Sequence, residues 1–143
     1  MQGKPANVAF VLLEFATMKL TVLSSEAGLT RLASSDDITL LDFEGGAKPM
    51  EEVLGTAAYG GVVLLNLAQS LYVDSSAVGW LIQCHFRFQK AGGKLVLHSI
   101  PPMVDHSFRV LGMYDVLNIA KDEAAGLLVA QAHSGEPPCP SRN

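Results

Sequence analysis

The sequence predicts a single α/β domain, a mixed sheet of four or five strands with helices packed mainly on one face. Three observations predict it. Val62-Val63-Leu64-Leu65-Asn66-Leu67 is a β-branched, apolar run of strand length with no room for a helical period, and it reads as a strand buried on both faces. Downstream, Val78, Leu81, Ile82, His85, Phe88 and Gln89 recur at helical spacing. Ala91-Gly92-Gly93 then ends that helix before a second apolar run over 94–100, so strand, helix and strand make a parallel pair with a right-handed crossover.

Taken in order, residues 1–17 precede the first element. They are a misassigned start, or an extra strand or helix that covers a sheet edge or mediates a homodimer. Strands over 19–23 and 29–33, joined by a turn at Ser24-Ser25-Glu26-Ala27-Gly28, form a hairpin. A polar stretch, Ser34-Ser35-Asp36-Asp37, leads into a long loop over 38–50 containing Gly45-Gly46 and Pro49. Pro49 to Leu54 opens a short helix, with proline in the first turn and acids where the helix dipole favours them; Gly60-Gly61 is expected to end it. After the central unit, Pro101-Pro102 stops the strand, residues 103–111 form a helix ended by Gly112, and 113–119 lead into a short last strand. Residues 122–131 are apolar enough to pack as a C-terminal helix, and 132–143, with Gly and three Pro, read as a disordered tail. The domain is therefore expected to span 18–131.

Composition narrows the function. A chain of 143 residues with 49% apolar and 17% charged residues is large enough to bury a core and is not intrinsically disordered. A formal net charge of -4, with ten Lys and Arg and no run of them, argues against nucleic-acid binding. Two cysteines make neither a disulfide framework nor a metal site, which fits a cytoplasmic location. No apolar stretch approaches the roughly 20 residues that span a bilayer. Residues 8–13 resemble the core of a signal peptide, but Glu14 breaks the run and no small-x-small cleavage site follows.

The stretch on which function turns is Val73-Asp74-Ser75-Ser76-Ala77-Val78-Gly79, where strand becomes helix. Asp and Ser cap helix N-termini because their oxygens accept the orphan N–H groups of the first turn. A serine fixed there, where oriented N–H groups and the helix dipole favour negative charge, is well placed to carry a phosphate.

This run, after an apolar strand and before a Gly-Gly turn and another strand, resembles the STAS domain of bacterial anti-sigma-factor antagonists over roughly residues 18–131. There the usual run is Asp-Ser-Ser-Gly-(apolar)-Gly, and the serine after the aspartate is phosphorylated by an anti-sigma-factor kinase. The resemblance implies Ser75 as phosphoacceptor, with Ser76 the second choice, Asp74 as its orienting neighbour and Gly79 as the close-approach glycine. Asp37 is the nearest match to the acidic residue that the family carries near the site. Ala77 departs from the family's glycine; it adds a methyl and is expected to alter docking rather than abolish it. The loop over 38–50 is longer than the family's.

Each residue has a plainer reading. Ser75 is otherwise a simple helix cap. Helical spacing sets Ser76, Gly79, Trp80, Gln83, Arg87 and Lys90 opposite Val78, Leu81, Ile82 and His85. The sole tryptophan is thus expected on the solvent side as a partner contact, the alternative being that it tucks under the 38–50 loop. His85 reads as a satisfied core histidine. Enzyme readings fail: Val73-Asp74-Ser75-Ser76-Ala77 lacks the glycines of a nucleophile elbow, and no phosphate loop, dinucleotide fingerprint or paired histidine spacing occurs.

The expected function is a phosphorylation-gated binding module without catalysis, cofactor or metal, acting in transcription regulation. Unphosphorylated, it would bind an anti-sigma-factor serine kinase of the GHKL type; phosphorylation at Ser75 would release it, and a serine phosphatase would reverse the mark. Asp37, Asp74, Ser76, Ala77, Gly79, Trp80 and Gln83 are the expected partner contacts. The alternative is an unmodified STAS-like adaptor of a lipid-transport ATPase or a signalling scaffold.

Overall fold

The computed structural model describes residues 19–131 except 27, 40–42, 44, 45 and 47. The N-terminal extension, the expected disordered tail and residues 40–42, 44, 45 and 47 of the 38–50 loop lie outside the described residues.

Five strands lie side by side in chain order: β1 (Lys19–Glu26), β2 (Leu29–Ser35), β3 (Val62–Gln69), β4 (Lys94–His98) and β5 (Asn118–Ala120). The β1–β2 pair is antiparallel and the rest are parallel, so the sheet is mixed as expected. Among the described residues there are four α-helices: α1 (Pro49–Leu54), α2 (Ser75–Ala91) and α3 (Pro102–Val110) lie between successive strands, and α4 (Glu123–Gln131) follows β5.

Alternation along the strands assigns the two faces. Leu32, Val63, Leu65, Leu67, Leu95 and Leu97 face one way and pack in one cluster with Met50 of α1, Ala77, Leu81 and Phe88 of α2, and Val104 and Phe108 of α3. Leu64, Val96 and Ala120 form a smaller cluster with Ala125, Leu127 and Val129 of α4. This second layer is why the central run reads apolar at nearly every position. Polar ties hold α4 near both ends: Arg31 Nε donates to Glu123 Oε2 at 2.8 Å, and Lys94 Nζ donates to the Val129 carbonyl at 3.0 Å.

Several boundaries differ from the sequence reading, for local reasons. The β1–β2 hairpin is longer and its turn tighter, because the ladder continues past an irregularity between Val22 and Ser24, with Ser24 opposite Arg31 and Ser25 opposite Thr30, until Glu26 meets Leu29. The first helix stops at Leu54: Gly55, at φ +79°, breaks it, and residues Thr56–Gly60 form a separate 3₁₀ turn. Strand β4 stops at His98 because Ser99 adopts φ +59° and leaves the ladder.

At the opposite edge from the strand ends that matter below, three glycine-bearing turns press together. A Cβ at Gly93 would overlap the carbonyl oxygens of Gly61 and Tyr59. Gly79, in the middle of α2, is the contrary case, with nothing within 4 Å of the position its Cβ would take. Gly93→Ala should therefore cost more than the ~0.5–3 kcal/mol of an ordinary substitution. Gly79→Ala should leave stability unchanged or raise it by up to ~1 kcal/mol from helix propensity alone. Urea unfolding of the two variants beside wild type checks both, and equal losses would contradict the packing described.

Candidate functional site

The start of α2 is built at the C-terminal edge of the parallel strands. As β3 ends, Ser70 turns inward and its hydroxyl lies 3.0 Å from that of Ser34, both side chains being buried. Leu71 and Tyr72 are exposed, and Val73 returns to the core, where it forms an isolated parallel bridge with Ile38. The backbone N–H of Ile38 donates to the Tyr72 carbonyl at 3.0 Å, and the Asp74 N–H donates to the Ile38 carbonyl at 3.2 Å. Beside it, Asp37 Oδ1 accepts the Tyr72 N–H at 3.1 Å. The chain leaving β2 thus straps the chain leaving β3. Asp36, at φ +61°, supplies the bend that this requires.

The cap follows directly. Asp74 is extended, at φ -88° and ψ -179°, and its Oδ1 accepts the Ala77 N–H at 2.9 Å, while its own carbonyl accepts from Val78 at 3.0 Å. Asp74, rather than either serine, is the N-cap. Ser75 is the first helical residue and is exposed; Ser76 is the second and is half-buried. An exposed hydroxyl at the first position of a 17-residue helix stands where the orphan N–H groups and the dipole favour added negative charge.

Of the residues read from sequence, Asp37, Asp74, Ser75 and Ser76 come together at this edge. Gly79 and Gln83 follow along α2, half-buried and exposed respectively. Two others do not reach the surface. Ala77 is completely buried, so its methyl contributes to the core and is not read by a partner. Trp80 is only 9% exposed, not on solvent as its spacing suggested; its ring packs on Phe43 with centroids 5.4 Å apart. The tucked alternative is the one found. The cause is a second wall: Phe43 and Met50 pack against the flank of α2, so its buried arc is wider than its apolar stripe, and Cys84 is buried with it.

The sequence reading passed over three large apolar residues. Leu71 is 65% exposed, Tyr72 56% and Met103 75%, and all lie in segments that leave the C-terminal ends of the adjacent parallel strands β3 and β4. Large apolar side chains in the segments just beyond the strand ends, Leu71 and Tyr72 in a loop and Met103 in the first turn of α3, were the available signal, since parallel α/β sheets gather their sites there.

The histidines do other work. His85 is buried in α2, and burial holds its imidazole below the ordinary histidine range. His98 is buried at the end of β4 with Nδ1 2.8 Å from Ser99 Oγ; burial lowers it too, partly opposed by Glu123 and Asp122. Asp105 is engaged with Arg109 and Tyr114. Among the described residues, no three His, Cys, Asp or Glu side chains converge on a metal-sized point, and no helix is long and apolar enough to cross a membrane.

Two substitutions test this geometry. Trp80→Ala should cost about 3–5 kcal/mol of stability, the usual loss for a buried tryptophan, and a melt within a degree of wild type would return the ring to the surface. Asp74→Ala should cost ~1 kcal/mol through loss of the cap, with Asp74→Asn recovering most of it because Asn caps equally well. Equal losses for Ala and Asn would mean that the carboxylate charge, not the hydrogen bond to Ala77, holds the turn.

Comparison with known proteins agrees with this architecture. The family model of the STAS domain matches residues 40–126, more than half of the chain. Among solved structures, an anti-sigma-factor antagonist from Mycobacterium paratuberculosis superposes with a TM-score of 0.65 at 14% identity, over 81% of this chain and 96% of that one. The anti-sigma-factor antagonist SpoIIAA in its unphosphorylated form gives 0.53 at 18% identity, over 78% and 95%. The murine anion transporter Solute Carrier 26 family member A9, inward-facing, gives 0.69 at 13% identity, over 89% of this chain but 24% of the transporter. With the family match, the strand order and the strand-to-helix turn in agreement, this chain belongs to the STAS domain family.

Proposed function

We propose that this domain is an anti-sigma-factor antagonist whose docking surface is gated by phosphorylation of Ser75. Unphosphorylated, it binds an anti-sigma-factor serine kinase of the GHKL type and so frees a sigma factor for transcription; phosphorylation releases it, and a serine phosphatase restores it, all within the cytoplasm. The observation that carries the reading is the exposed Ser75 hydroxyl at the first position of the capped helix α2, beside an edge bearing exposed Leu71, Tyr72 and Met103. A phosphate adds about -1.5 to -2 charges. On a surface that docks through apolar side chains, that charge opposes association by desolvation and by repulsion from Asp74 and Asp37. It leaves the domain folded, because the helix N-terminus favours an anion by ~0.3–1 kcal/mol.

The docking surface in this reading comprises Asp37, Asp74, Ser75, Ser76, Gly79 and Gln83. Gly79 supports it independently: a glycine inside a helix costs ~0.8–1.0 kcal/mol relative to alanine, and among the described residues no atom lies within 4 Å of the space it leaves. A close-approaching partner would. Ala77 and Trp80 fall outside the surface because they are buried.

The fold is also found within a transporter, which keeps a second reading in view, an unmodified STAS-like adaptor subunit of a lipid-transport ATPase or signalling scaffold, in which Ser75 is simply the first helical residue and carries nothing. One experiment separates the two. With ATP, Mg²⁺ and the anti-sigma-factor kinase of the source cell, intact-mass spectrometry and peptide mapping should find one phosphate, on Ser75. Ser75→Ala should lose it and still bind the kinase, whereas Ser75→Asp should bind more weakly. A phosphate on Ser76 would move the site by one residue and keep the mechanism. Failure of every such kinase to modify either serine, with both alanine variants active in the cell, would favour the adaptor.

A further inference from the structure

Strand β1 is an edge of the sheet: it pairs β2 on one side, and among the described residues no strand pairs it on the other. Such an edge presents a row of backbone N–H and C=O groups that can take another strand. At its middle, Val22 is 42% and Leu23 56% exposed. Only its ends are charged. Lys19 opens the strand and Glu26 closes it, and the run between them, Leu20-Thr21-Val22-Leu23-Ser24-Ser25, carries no charge. Both end residues are exposed, and among the described residues neither forms an ion pair within its own chain.

The register with β2 fixes which side chains share a face. Lys19, Thr21, Ser24 and Glu26 stand opposite Ser35, Ala33, Arg31 and Leu29, alternate residues of one strand, so all four lie on one face. Leu20, Val22 and Ser25 stand opposite Ser34, Leu32 and Thr30 and lie on the other. In an unbroken strand Lys19 and Glu26, an odd number of positions apart, would point to opposite faces. The irregularity between Val22 and Ser24 inserts one residue, Leu23, and brings both charges onto the same face.

We propose that β1 is a self-pairing edge, and that its occupant is β1 of a second copy of this chain, antiparallel and related by a two-fold axis. Residues opposite one another in an antiparallel pair share a face, so the register must match face to face. An axis between Val22 and Leu23 achieves this. Lys19 meets Glu26 of the second copy, Leu20 meets Ser25 and Thr21 meets Ser24, each on its own face, while Val22 and Leu23 cover one another at the centre. One axis thus generates two ion pairs, whereas parallel pairing in register would set like charges together. A bulge ordinarily protects an edge, since a plain strand has no irregularity to match it. A second copy carries the same bulge, and the axis passes through it, so the ladders on either side stay in step. This surface is separate from Ser75 and does not depend on the phosphorylation reading.

The test is sedimentation of the full chain from micromolar to millimolar concentration, for wild type, Lys19→Glu, Glu26→Lys and the doubly reversed variant. Wild type should pass from monomer to dimer, and hydrogen exchange should slow, as it does so, at those β1 amides that do not pair with β2. Each single reversal sets like charges opposite one another at both ends. It should weaken association about tenfold or more while leaving the melting temperature in dilute solution unaltered. An equimolar mixture of the two single variants should recover dimers, because each reversed end then meets the other. The doubly reversed variant should recover them alone. A chain that stays monomeric throughout, or a dimer indifferent to either reversal, would overturn the proposal. So would single variants that lose association and do not regain it on mixing. Outer β1 amides protected equally at every concentration would also overturn it, since the chain's own residues would then cover that edge.

Discussion

Ile38 and Asp74 together hold the start of α2 in place. Without the backbone bonds from Ile38 to Tyr72 and Asp74, the segment leaving β3 would be an unsupported loop ending in a helix. With them, two parallel strand exits are joined beyond the sheet proper, and Val73 is fixed in the core between them. Asp74 then has one backbone direction available, and its carboxylate closes the first turn on Ala77. The position of Ser75 is a consequence of this arrangement: the residue after a rigid cap, exposed, on an edge that cannot move far without breaking core contacts.

That rigidity suits a switch driven by charge rather than by refolding. Leu81 and Phe88 on the inner face of the helix, and Leu32, Val63, Leu65, Leu95 and Leu97 of the sheet behind it, are almost wholly excluded from solvent. Such packing does not deform continuously. A phosphate on the first residue would change what the surface presents while leaving the interior alone. The same stiffness bears on the flank of α2, where Trp80 packs on Phe43, Tyr59 packs edge-on against Phe88, and Glu51 pairs with Arg87. One helix thus carries the exposed serine at its start and a packed aromatic flank further along.

The sheet and the main helix were legible because their signals are local. The central strand is apolar on both faces because helices cover both, and the α2 stripe, the Gly92-Gly93 stop and the proline-led helices follow from backbone chemistry. The capped turn was legible for the same reason, since Asp74 and Ala77 are three residues apart. Trp80 was not. A helical stripe predicts which residues face the sheet, but the depth of a residue on the flank depends on what a distant segment brings to it. Phe43 and Met50 come from a loop and a short helix that lie 30 or more residues away. Ala77 was misplaced for a related reason, because motif position placed it in the docking run while the pitch of the first turn directs it inward. The exposed Leu71, Tyr72 and Met103 carry no periodicity at all; only the arrangement of parallel strands gathers them at one edge.

The account's central claim is that a charge on Ser75 alters recognition without altering the fold, and the most direct test compares the purified Ser75-phosphorylated protein with the unmodified one. Affinity for the anti-sigma-factor kinase by calorimetry and melting temperature by scanning calorimetry should be measured on the same samples. The account predicts that affinity falls by about tenfold or more, equivalent to ~1.4 kcal/mol or more, while the melting temperature moves by no more than the ~2–4 °C that a change of 1 kcal/mol produces in a somewhat larger domain. Undiminished affinity, or a loss of affinity that comes only with collapse of the melting transition, would contradict it.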